Sequence, residues 1–168
     1  MNTEYSNFVQ SLCKEGQSII DTLTPYKAHL WHMGSAFLGE YLELQLAWLN
    51  EDEENKEEEL GDILFYLTGI KPDLYIDLDN FKDPESYINP TLLAESIFDQ
   101  IKKHTIYNKP LNVDLLNQTV DQFIQQLTYS IGADYVKAAL IQNQAKLSKR
   151  YSEGKYTDKA ANERLDKQ

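Results

Sequence analysis

Apolar residues recur at three- and four-residue intervals along most of the chain. Phe8, Val9, Leu12, Ile19 and Ile20 form the first such run, which predicts helix over residues 3–23. Thr24-Pro25 opens the next. Thr caps helices, and Pro at the first helical position gives up only an N–H that would be unpaired anyway. That helix extends to about residue 49. An acidic turn over residues 50–55 leads into a helix over residues 56–68, with Gly69 as its stop. Residues 71–90, rich in Pro, Asp and aromatics, read as an irregular connection. Asn89-Pro90 repeats the cap-then-Pro signal and starts a helix to about residue 104. Residues 105–112 read as a loop. Helices then fit residues 113–131, ended by Gly132, and residues 133–150, with a short one over residues 157–165. No segment shows strand alternation. The fold class is all-α, a helical bundle with a four-helix core.

Composition narrows the partners. A chain of 168 residues fits one domain. The net charge of −11 argues against a nucleic-acid polymer or an anionic membrane, both of which need clustered cations. It leaves room for a nucleotide, whose charge a metal ion and a few Lys or Arg can meet. No apolar run is long enough to span a membrane. The single Cys13 excludes an internal disulfide, and the N-terminus lacks the basic and apolar regions of a signal peptide. The expectation is a cytoplasmic protein.

The chemistry concentrates in two carboxylate pairs. Glu40 and Glu43 stand three apart, as do Glu59 and Asp62, so each pair shares a helix face. The short turn between the helices makes them antiparallel, and the two stripes can face each other across one groove. Two carboxylates 4 Å apart repel by about 4 kcal/mol at an effective dielectric of 20. A proton or a cation must relieve that. All-oxygen ligands favour Mg²⁺ or Mn²⁺, with Ca²⁺ allowed on ligand type. The alternative is a solvated acidic face, which is the reading for residues 51–58. Trp48, Phe65 and Tyr66 read as core. His32 stands more than two turns from Glu40, too far for joint ligation; with Trp31 it either lines one end of a pocket or is simply packed.

The combination Glu40-x-x-Glu43, a spacer, then Glu59-Leu60-Gly61-Asp62 within EELGDILFYL resembles the MazG-type nucleotide pyrophosphohydrolases, of the all-α superfamily that also holds dimeric dUTPases and dCTP pyrophosphatases. The segments before and after, including NQAKLSKRYSEGKYTDKAANERLDK, are similar to a MazG-like group common in phages and bacteria. The resemblance implies cleavage of a (deoxy)nucleoside triphosphate to monophosphate and pyrophosphate in nucleotide-pool control. It implies Mg²⁺, or Mn²⁺, held by Glu40, Glu43, Glu59 and Asp62, with Glu40 or Glu43 as general base. Asn143, Lys146 and Arg150 match the family's N-x-x-K-x-x-x-R pattern. With Tyr151, His32 and Lys103 they are the expected substrate contacts. A homodimer is implied, as is action in a host cytoplasm if the chain is phage-encoded.

One family element is displaced. IKKHTIYNKP, residues 101–110, lies downstream of the intact acidic motif rather than inside it. Residues 89–131 then read as a degenerate copy of the metal-competent helix pair 31–69, across a linker 70–88, with 133–168 as C-terminal helix and tail; the alternative is chance similarity between amphipathic helices. In the copy the acid positions fall near Leu93, Ser96, Thr119 and Gln122, none a carboxylate. Lys103 would reach the substrate from this second half. Two other readings stay open: a non-catalytic nucleotide or signal binder on the same fold, and an interaction protein whose acidic turn docks a basic partner.

Overall fold

The computed structural model describes residues 3–164 and 166. It is all-helical: α1 Thr3–Leu12, α2 Gly16–Ile20, α3 Pro25–Leu49, α4 Glu53–Ile70, α5 Pro90–Thr105, α6 Val113–Ile131, α7 Ala133–Arg150 and α8 Asp158–Glu163. The caps are local and explicit. Thr24 Oγ1 accepts from the Lys27 N–H at 3.2 Å, Asp52 from Asn55, Asn89 from Thr91 and Asn112 from Leu115. Gly132, at φ 95°, separates α6 from α7 in a conformation that L side chains avoid.

α3 and α4 form an antiparallel hairpin. His29 near the start of α3 bonds the Gly69 carbonyl near the end of α4 at 3.0 Å. α5 lies antiparallel on the other flank of α3, with Trp31 against Phe98 and Tyr41 bonded to Thr91. α6 pairs with α5 and sends Phe123 edge-on into Phe37 at 5.1 Å and Tyr41 at 5.5 Å. α7 closes the circuit between α6 and α4. It runs parallel to α4: Tyr135 meets Glu53 near their starts, and Lys146 meets Asp62 about three turns on. The core thus has the four expected helices plus α7, whose Val136 and Ala139 are fully buried. Residues 71–89 wrap α6 and α7, held by ion pairs Lys71–Asp121 and Lys137–Asp79 and by Gln126 bonded to the Ser86 carbonyl.

Several expectations need correction. The segment over residues 3–23 is two helices, broken at Cys13-Lys14-Glu15. Neither buries a residue, so Phe8 and Leu12 have helical spacing but no surface to cover. α4 starts three residues early because Asp52 caps it. Gly69 does not stop it. A methyl there would overlap the Met33 sulfur, so Gly69 serves the close approach of α3. Trp48 and Phe65 are exposed rather than core; Lys56 Nζ lies 4.4 Å from the Trp48 ring centre. α8 is shorter than expected, and Leu165 lies outside the described residues. Among the described residues no helix is long and apolar enough to cross a membrane.

Candidate functional site

The antiparallel hairpin brings Glu40 and Glu43 opposite Glu59. Carboxylate oxygens of these three lie within 4.8 Å of one another. α4 holds its side rigidly, because Leu60 and Ile63, flanking Glu59 and Asp62, are fully buried. Glu59 is itself 6% exposed, while Glu43 is open to solvent. Glu40 and Glu59 share a side-chain hydrogen bond. Two ionised carboxylates can only accept, so one member carries a proton. Burial first, then that bond, then the charges of Glu40, Glu43 and Asp62 push Glu59 up to about 8. Burial also raises Glu40; the Asp62 and Glu43 charges add to it, while the Glu59 bond and Lys146 oppose it.

Asp62 lines the same groove but stands outside that triangle. Lys146 Nζ lies 2.7 and 2.6 Å from its two oxygens, and Asn143 Nδ2 donates to Oδ1 at 2.6 Å. Lys146 also reaches Glu58 at 3.4 Å. Gly61 makes this possible. A Cβ there would stand 2.7 Å from Asn143 Cβ and 3.1 Å from the Ala139 carbonyl oxygen, so only glycine lets α7 approach this turn of α4.

The groove, about 480 Å³, is further lined by Asn55, Glu58, Tyr66, Arg150, Ala161 and Arg164. The Tyr66 hydroxyl is pushed up, first by burial and then by the Glu40 and Asp62 charges. Its ring meets the exposed His32 edge-on at 6.1 Å, so His32 touches a wall residue of the groove without lining it. Arg150 faces the groove but is engaged: Nε and Nη2 donate to the two Asp166 oxygens, each at 2.7 Å. The pair holds Asp166 down at about 2 and raises Arg150. Tyr151 stacks obliquely on Tyr156, 5.7 Å between centroids, beside the groove.

Lys103 is not brought here. It pairs with Asp99 at 2.5 Å, and His104 packs on Tyr26 near the start of α3. Asn108 bonds Lys27. Lys27 precedes Glu40 by some 20 Å of helix at 1.5 Å per residue. Because α5 runs antiparallel to α3, the Lys103 end of α5 lies at the far end of α3 from the acids. At the degenerate positions, Gln100 Nε2 reaches Thr119 Oγ1 at 3.3 Å and Ser96 Oγ at 3.5 Å, a neutral polar link between α5 and α6.

Sequence reading missed Glu58, Gly61 as a packing residue, Arg164 and Asp166. Glu58 had a signal: it precedes Asp62 by one turn on the same face. Arg164 reaches the groove from a left-handed conformation, φ 45°, that no pattern announced. The donor set fits a hard divalent cation. Three convergent carboxylates supply only oxygen ligands, and the proton kept between Glu40 and Glu59 marks a surplus of negative charge that a cation would relieve. No protein-family model, no curated protein and no solved structure matches the chain.

Proposed function

We propose that the chain is a metal-dependent nucleoside triphosphate pyrophosphohydrolase, forming monophosphate and pyrophosphate, with one active site per chain. The observation that carries this reading is the convergence of Glu40, Glu43 and Glu59 beside Asp62, with cationic side chains on the facing helix. These acids would hold Mg²⁺, or Mn²⁺ in its place. The ion supplies charge neutralisation at phosphate oxygens and makes water a better nucleophile. The protein's own groups do the rest. Glu43, the open carboxylate, and Glu40 are placed to take the proton of an attacking water. Lys146 and Arg150 meet phosphate charge, the first as a point charge and the second through its fork. Tyr66, with His32 against its ring, walls one side. In an internal duplication the second helix pair, with no carboxylate at the matching positions, would buttress α3 without binding metal. Cytoplasmic action and a homodimer belong to the same proposal.

The test is pyrophosphate release from a panel of nucleoside triphosphates with Mg²⁺ or Mn²⁺. Turnover of at least one nucleotide is expected, falling about a hundredfold or more in Glu43→Gln with the fold intact by circular dichroism. Wild-type protein inert toward every nucleotide with both metals would sink the proposal. One observation favours a second reading, a non-catalytic nucleotide binder: both cations expected to meet phosphate are already paired, Lys146 with Asp62 and Arg150 with Asp166. Tight nucleotide binding by calorimetry without turnover would select it.

A further inference from the structure

We propose that Lys146 is a built-in competitor for cations at Asp62: at rest the chain holds one divalent ion, at Glu40, Glu43 and Glu59, and accepts a second only when the Lys146 ammonium leaves. The inference deepens the hydrolase reading and rests on it.

The ammonium sits where a cation bridging Asp62 and Glu58 would sit. It touches both Asp62 oxygens, at 2.6 and 2.7 Å, and Glu58 at 3.4 Å. Its side chain is 12% exposed, so little water screens the contact. A dication entering the same position meets a fixed positive charge at contact distance, and one of the two must go. Lys146 has somewhere to go. A second groove of about 280 Å³, lined by Glu54, Gln142, Lys149 and Asp166, opens on its other side. Asn143 cannot follow, because it is buried against Gly61. It keeps its bond to Asp62 Oδ1 and leaves the carboxylate aimed while the ammonium swings away. An arriving dication would displace the ammonium into that second groove and take its place on Asp62. The long, rotatable lysine stem suits this exchange; a rigid arginine fork does not.

Mn²⁺ titration of the full chain tests it, read by calorimetry and by the free-Mn²⁺ paramagnetic signal. Wild type is expected to bind one ion, with any second at least about tenfold weaker, the effect of one uncompensated charge. Lys146→Met should bind two ions of similar affinity, the second tightened about tenfold or more. Two equally tight ions in wild type, or an unchanged second ion in Lys146→Met, overturn the inference and leave the hydrolase reading standing. No Mn²⁺ bound by either protein overturns both. Should Lys146→Met not fold, Lys146→Gln replaces it, and the one-ion stoichiometry of wild type still decides.

Discussion

Held free of metal, the protein should lose stability between pH 5.5 and pH 8. Glu59 has an ordinary value of 4.5 when unfolded and about 8 when folded. Between those values the native state keeps a proton that the unfolded chain has released, so rising pH favours unfolding. The full contribution, about 5 kcal/mol at 1.36 kcal/mol per pH step, is present below 4.5 and is lost as pH passes through 8. Between pH 5.5 and 8 the loss is about 3 kcal/mol. Glu40, also raised, acts with the same sign. The other charged pairs shift outside this window. Asp166, Asp79 and Asp99 are lowered from 3.8 and act only in acid, while Lys102 and Lys137 are raised from 10.5. Urea unfolding followed by circular dichroism in chelator should therefore show a midpoint about 1.5 M lower at pH 8, for a slope near 2 kcal/mol/M. Glu59→Gln keeps a hydrogen bond to Glu40 without the titration and should flatten the difference. Mg²⁺ at pH 8 should restore the midpoint. A midpoint unchanged or higher at pH 8, or a Glu59→Gln protein that keeps the slope, would refute the reasoning.

Gly61→Ala should destabilise by about 1–3 kcal/mol through overpacking against Asn143 and the Ala139 carbonyl. That exceeds the roughly 1 kcal/mol that alanine gains over glycine inside a helix. Thermal unfolding checks it, and a variant as stable as wild type would show that α7 can move off α4 at no cost. Asp166→Asn should release the Arg150 fork and lower the nucleotide KM about threefold to tenfold at unchanged kcat, because substrate no longer competes with an internal carboxylate. Steady-state kinetics decides, and an unchanged or higher KM would count against a phosphate role for Arg150.

What the sequence made legible is local. Thr24-Pro25 and Asn89-Pro90 set helix starts through bonds spanning two or three residues. Spacing of three placed Glu40 with Glu43 and Glu59 with Asp62 because helix geometry alone decides it. What stayed hidden depends on partners distant in the chain. The stripe of Phe8 and Leu12 has the right period, yet both side chains stay exposed. Gly69 looked like a helix stop because its reason, Met33, lies on another helix. Lys103 lost its place because the direction of α5 against α3 is a packing outcome. Spacing put Lys146 on one face of its helix, but its seat on Asp62 follows from α7 running parallel to α4.

The parallel register of α7 on α4 also orders events in time. All four acids lie within one hairpin and meet as soon as α3 and α4 pair, a local step of the kind that forms early. Their cation comes from a contact spanning 84 positions, which closes only after α5 and α6 have carried the chain around the bundle. Any state with the hairpin paired and α7 undocked would hold these carboxylates together without Lys146. In such a state a proton or a dissolved divalent ion would have to offset the charge that Lys146 meets in the folded chain.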